Sequence, residues 1–109
     1  MKGNPSVWVS VDLCLVPLGI GTSLSSYISA CQVIIEKAGL DYELGPNGTA
    51  IEGEWDDVFE CIKACHEEVH RLGALRIFTN LKINTRSDRH QSFREKVPSV
   101  KSVLSIDSG

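Results

Sequence analysis

This 109-residue chain has no run near the roughly 20 apolar residues that span a bilayer, so no transmembrane helix is expected. Basic charge is also in short supply. Eleven lysines and arginines against fourteen acidic residues leave a formal charge of -3. Without a basic field there is nothing to hold a phosphate backbone, and nucleic acid is not an expected partner. Residues 1–5 carry one lysine and no apolar stretch behind it, which suits neither a signal peptide nor a transit peptide. No repeat, low-complexity tract or Pro/Gly/Ser linker divides the sequence, so a single domain over 1–109 is expected, with its core about 6–104. Cysteine is scarce and sits where loops do not. Cys14, Cys31, Cys61 and Cys65 all fall inside apolar patterned segments, whereas disulfides in small secreted domains punctuate loops. Free buried thiols and a cytoplasmic location are expected.

What is present is strong patterning. Ser6–Val16 alternates with a period of two, placing Val7, Val9, Val11, Leu13 and Leu15 on one face of a strand that Pro17 is expected to end. After a loop at Leu18–Gly21, Thr22 or Ser23 offers an oxygen to cap a helix. In it Leu24, Tyr27, Ile28, Cys31, Ile34, Ile35 and Ala38 recur at three and four, and Gly39 closes it. Asn47-Gly48 between two short strands predicts a hairpin turn with positive φ. A second helix is expected from Asp56 or Asp57, with the stripe Trp55, Val58, Ile62, Cys65, Val69 and Leu72, until Gly73. Ala74–Arg86 alternates again, and a last helical segment is expected over about Gln91–Leu104, interrupted at Pro98.

Strand, helix, strand, strand, helix, strand is the ferredoxin-like plan, an α+β fold with one antiparallel βαββαβ sheet, two helices on one face and here a C-terminal helix. Leu75, Ile77, Leu81 and Ile83 would join the valines and leucines of the first strand under the helices. Trp8 and Phe78 would then occupy the other face. Apolar area left in water costs about 25 cal/mol per Å², so a dimer or tetramer closed through that face is expected.

Three motifs suggest chemistry that the surrounding residues do not support. His66-Glu67-Glu68-Val69-His70 spells the H-E-x-x-H zinc signature. At 100° per residue His66 and His70 lie about 40° and 80° from Ile62, flanking the core stripe, with Glu67 about 140° away in solvent. His90 has no motif around it, and a domain this small lacks a second lobe for a protease cleft. Cys61 and Cys65 could grip a metal, but Cys65 belongs to the apolar stripe, and core packing is the better account. Gly19-x-Gly21 echoes a phosphate loop. Leu24 replaces its third glycine and the hairpin breaks the βαβ unit, which leaves at most a modest anion contact at the helix start. No metal and no cofactor are expected.

The fourth feature is the acidic block around Trp55. Glu52, Glu54, Asp56 and Asp57 beside an indole could receive an organic cation. On the physics alone the better account is that Glu54, Asp56 and Asp57 serve the start of the second helix while Trp55 anchors the core.

In this block Leu44-Gly45-Pro46-Asn47-Gly48-Thr49-Ala50-Ile51-Glu52-Gly53 resembles the L-G-P-x-G-T-x-I-E-G signature of the small thiamine-binding (YkoF-like) protein family. Val16-Pro17-Leu18-Gly19, Arg76, Lys82–Asp88, Lys96-Val97 and Ser99-Val100 extend the resemblance over about residues 8–104. It implies a cytosolic ferredoxin-like homotetramer that binds thiamine or a hydroxymethylpyrimidine-like compound without catalysis. Asn84 stands where many members have aspartate, removing a charge available to the ligand. The expected ligand-binding residues are Thr49, Glu52, Asn84, Ser23 and Ser25. An enzyme acting on a thiamine-related metabolite would need a base, for which Glu52, His66 and His90 are the candidates, none with an evident nucleophile. A structural or regulatory partner protein is the third class.

Overall fold

The computed structural model describes residues 7–19, 24–88 and Ser92. Its elements are β1 (Trp8–Leu18), α1 (Ser25–Lys37), β2 (Asp41–Leu44), β3 (Thr49–Glu54), α2 (Trp55–Arg71) and β4 (Arg76–Arg86). The strands form one antiparallel sheet in the order β2-β3-β1-β4, the expected ferredoxin-like arrangement. The expected last helix at Gln91–Leu104, the caps Thr22 and Ser23, and His90 lie outside the described residues.

Register follows the period of two. Val9, Val11 and Leu13 pair with Gly53, Ile51 and Thr49 on β3 and with Thr85, Ile83 and Leu81 on β4. These rows face the helices, and Val9, Val11, Leu13 and Ile51 are buried there with Ile35, Val58, Cys61, Ile62 and Cys65. Three expected members of this face are not buried in it: Val7 precedes β1 and is exposed, Leu75 precedes β4 and is 91% exposed, and Ile83, though in register, is exposed. Trp55 is also no core anchor: it is exposed and stacks on Phe59 with ring centroids 4.5 Å apart.

Pro17 does not end β1. The strand continues to Leu18, with Pro17 opposite Ile77. The β3 pairing stops at Leu13↔Thr49, so from Cys14 onward β1 has only β4 as a neighbour strand among the described residues. A residue without an N–H is tolerated where one side of the strand has no ladder to complete.

The helix starts and the hairpin also differ in detail. Leu24 occupies the N-cap of α1 and makes no side-chain cap bond. Gly39 and Gly73 close the two helices with φ of 73° and 118°, as their positions predict. The hairpin between β2 and β3 forms, but neither Asn47 nor Gly48 has positive φ. Its four-residue loop is closed instead by Gly45 N donating to Gly48 O at 2.8 Å. Gly48 is required by proximity: a Cβ there would stand 2.7 Å from Asp12 Oδ1 and 3.0 Å from Leu13 O.

Candidate functional site

Because β1 outruns β3, a gap opens between its unaccompanied flank, the β2–β3 hairpin and α1. The gap is a cleft of about 400 Å³. Leu13–Val16 form its floor, Gly45–Thr49 one wall, and Leu24, Tyr27, Ile28, Cys31, Gln32 and Ile35 the other. The amphipathic spacing of α1 accounts for the second wall. Ile28 and Gln32, and Tyr27 and Cys31, are one helical turn apart and project to the same side. Among the described lining residues there is no carboxylate, ammonium, guanidinium or imidazole. Polarity comes from the Tyr27 phenol, the Gln32 and Asn47 amides and the Thr49 hydroxyl. Such a mainly apolar concavity with a few neutral hydrogen-bonding groups suits a small uncharged ring.

The expected site residues are divided between the two faces of the sheet. Thr49 lines the cleft on the helix side. Glu52 and Asn84 sit on the opposite face, on either side of Ser10, in the cross-strand row Asp41, Glu52, Ser10, Asn84. Glu52 is 3% exposed and its Oε1 accepts a hydrogen bond from Ser92 Oγ at 2.7 Å. Ser25 is exposed at the first turn of α1, outside the cleft lining, and Ser23 lies outside the described residues. Tyr27, Gln32 and Asn47 are the polar cleft groups missing from the sequence-based set. Gln32 could have been found as the amide interrupting an otherwise apolar helix stripe. Asn47 could not, since its role as wall depends on where the hairpin folds.

The second helix holds the groups that spelled a metal site, and its histidines and thiols have structural partners. His66 Nε2 and Thr79 Oγ1 share a 2.8 Å hydrogen bond, while His70 Nδ1–H donates to Ala74 O at 2.7 Å. Burial, then the charge of His70, hold the His66 imidazole below the usual histidine range. The Cys65 thiol is pushed up by hydrogen bonds to Cys31 and Cys61 and by burial, and the same bonds lower the other two. Cys65 Sγ also lies 3.9 Å from Cys31 O, so these thiols pack α1 against α2. Among the described residues no three His, Cys, Asp or Glu side chains converge as metal ligands.

The face away from the helices divides by charge. Asp41, Glu43, Glu52 and Glu54 lie on the β2–β3 half, and Arg76, Lys82 and Arg86 on β4. Arg86 is engaged with Asp88 through Nε–Oδ1 and Nη2–Oδ2 contacts of 2.7 Å each. Phe78 is 62% exposed on this face.

A ferredoxin-like sheet with a neutral cleft beside its first helix defines a small ligand-binding class of protein, and comparison with known proteins gives the family. A family profile described as thiamine-binding protein matches residues 11–101, and the chain belongs to that family. A UPF0045 protein of Synechocystis is 52% identical over 96 residues, covering 88% of this chain and 79% of that protein. A solved hypothetical protein of Methanocaldococcus jannaschii superposes with a TM-score of 0.78 at 28% identity, covering 86% of this chain and 96% of its own. A candidate thiamine biosynthesis or salvage protein of Thermotoga maritima gives a TM-score of 0.73 at 26% identity, covering 85% and 98%.

Proposed function

We propose that this protein is a non-catalytic, cytoplasmic, homo-oligomeric binder of thiamine or a related pyrimidine, with the pyrimidine ring held in the cleft between α1 and the hairpin. The observation that carries this reading is the neutral lining of the cleft among the described residues, in a chain of the thiamine-binding family. Burying a cation or phosphate without a partner costs far more than burying a neutral ring whose few polar atoms are hydrogen-bonded. The uncharged pyrimidine therefore goes in first, and a thiazolium or phosphate group stays at the mouth in water. Tyr27 offers a ring face, while Gln32, Asn47 and Thr49 offer donors and acceptors. Of the expected set, Thr49 belongs to this site. Glu52 and Asn84 belong to the opposite sheet face, where Glu52 is already buried and a second copy would cover the exposed Asn84.

An enzyme reading needs an acid or base at the ligand. The cleft lining supplies no carboxylate or imidazole among its described residues, and His66 is committed to Thr79 on α2 and β4. The deciding measurement is calorimetric titration of the purified protein with the free hydroxymethylpyrimidine, thiamine and thiamine diphosphate. Pyrimidine and thiamine should bind with affinities within about tenfold of each other, because both present the same buried ring. Binding of the diphosphate alone, or turnover of any of the three, would overturn the reading.

A further inference from the structure

We infer that the backbone edge of β1 at Leu15, which has no strand partner on its β3 side among the described residues, recognises the ligand through its N–H and C=O as a neighbouring strand would; this rests on the cleft reading above. In an antiparallel strand, alternate residues turn both backbone groups to one neighbour and the residues between them turn both to the other. Two observations fix which set faces the cleft. Leu13 O lies 3.0 Å from the Cβ position of Gly48, on the hairpin side. Pro17, which has no N–H to give, is accommodated in the strand while β4 pairs with it throughout. Residues 13, 15 and 17 therefore turn their backbone groups toward the β3 side, and Cys14 and Val16 turn theirs to β4.

Leu13 still pairs with Thr49, and Pro17 has only its carbonyl to offer. Leu15 is left between them with a donor and an acceptor aimed along the cleft floor, two residues beyond the last β3 pair. A strand edge holds a partner by accepting from one group and donating to the next, and peptides bound by strand addition use the same pair. An aminopyrimidine carries that complement on one edge: an exocyclic amino group that donates, beside a ring nitrogen that accepts. The class of ligand this edge selects is a flat heteroaromatic ring with an amino group adjacent to a ring nitrogen. A ring that lacks the amino group leaves the Leu15 carbonyl facing an atom with no proton to donate, and is held more weakly.

The test is amide hydrogen exchange by NMR on the whole chain, alone and with 4-amino-5-hydroxymethyl-2-methylpyrimidine, its 4-deamino analogue and thiamine as probes. Without ligand, Leu15 should exchange at least tenfold faster than Cys14 and Val16, whose amides bond to β4. Saturation with the aminopyrimidine should slow Leu15 by tenfold or more, and the 4-deamino analogue should bind at least tenfold more weakly. A slow Leu15 amide in the free protein overturns the inference. So does equal binding of the two pyrimidines. Ligand binding that shifts Tyr27 and Gln32 but leaves Leu15 exchange unchanged overturns the edge while preserving the cleft. Absence of binding by all three probes overturns both.

Discussion

Ser92 donates a 2.7 Å hydrogen bond to Glu52 across forty residues of sequence, on the sheet face turned away from both helices. The most conspicuous acid of the sequence motif is thus tied to the segment after β4 and separated from the cleft by the sheet itself.

Substitution at positions 52 and 49 separates the two faces. Glu52→Gln keeps the shape and removes the charge, so unfolding free energy should fall by about 1–2 kcal/mol, the difference between a charged and a neutral hydrogen bond. Its affinity for the pyrimidine should stay within about threefold of the parent. Thr49→Val should do the reverse, weakening the ligand by about 1 kcal/mol with little change in the unliganded melting midpoint. Calorimetry and thermal melts on both variants check this, and an affinity loss confined to Glu52→Gln would move the ligand to the other face.

Acid should destabilise the protein through His66. Its folded pKa lies below the unfolded value near 6.5, so the unfolded chain binds more protons. The associated stability is fully present above about pH 6.5 and is lost as pH falls through that value toward the lower folded one. Urea unfolding between pH 7.5 and 5 should show this decline, and His66→Gln, which can still bond Thr79, should flatten it.

Phe78 carries the assembly prediction. Light scattering at micromolar concentration should give a dimer or tetramer, and Phe78→Asp should shift it toward monomer while circular dichroism stays unchanged. The acidic half and the basic half of the same face also predict dissociation that increases with salt. A monomeric parent protein would count against a second copy on this face.

Gly48→Ala should cost about 1–3 kcal/mol, the usual scale for forcing atoms into a packed site. The Asp12 carboxylate can swing aside, but the Leu13 carbonyl is held in the sheet. Gly53→Ala should cost less, since its nearest obstacle is the terminal Leu40 Cδ2 at 2.8 Å. Chemical denaturation of the two variants gives the comparison.

The sheet and both helices were legible because each rests on a period that burial enforces: Val9, Val11 and Leu13 on β1, and Val58, Ile62, Cys65 and Val69 on α2. The corrections fall where tertiary neighbours decide. Pro17 reads as a terminator until β3 is seen to stop at Thr49. Asn47-Gly48 signals a turn from local φ preference, whereas Gly48 is there for the approach of Asp12 and Leu13. The candidate site was legible only at Thr49. Gln32 was marked only by interrupting an apolar helix stripe, and Tyr27 reaches the cleft through the stand-off of α1 from a strand flank, a distance that no local pattern encodes.

The overhang of β1 has one more consequence. Five residues of backbone, Cys14–Leu18, run without a partner strand on the β3 side among the described residues. Such an edge is a template on which another chain can nucleate edge-to-edge aggregation. Pro17 interrupts it, since a register that satisfies Leu15 meets a missing donor two residues later. On this view Pro17→Val would complete a sticky edge, trading colloidal solubility for one hydrogen-bond donor, and an occupied cleft would guard the protein against its own copies.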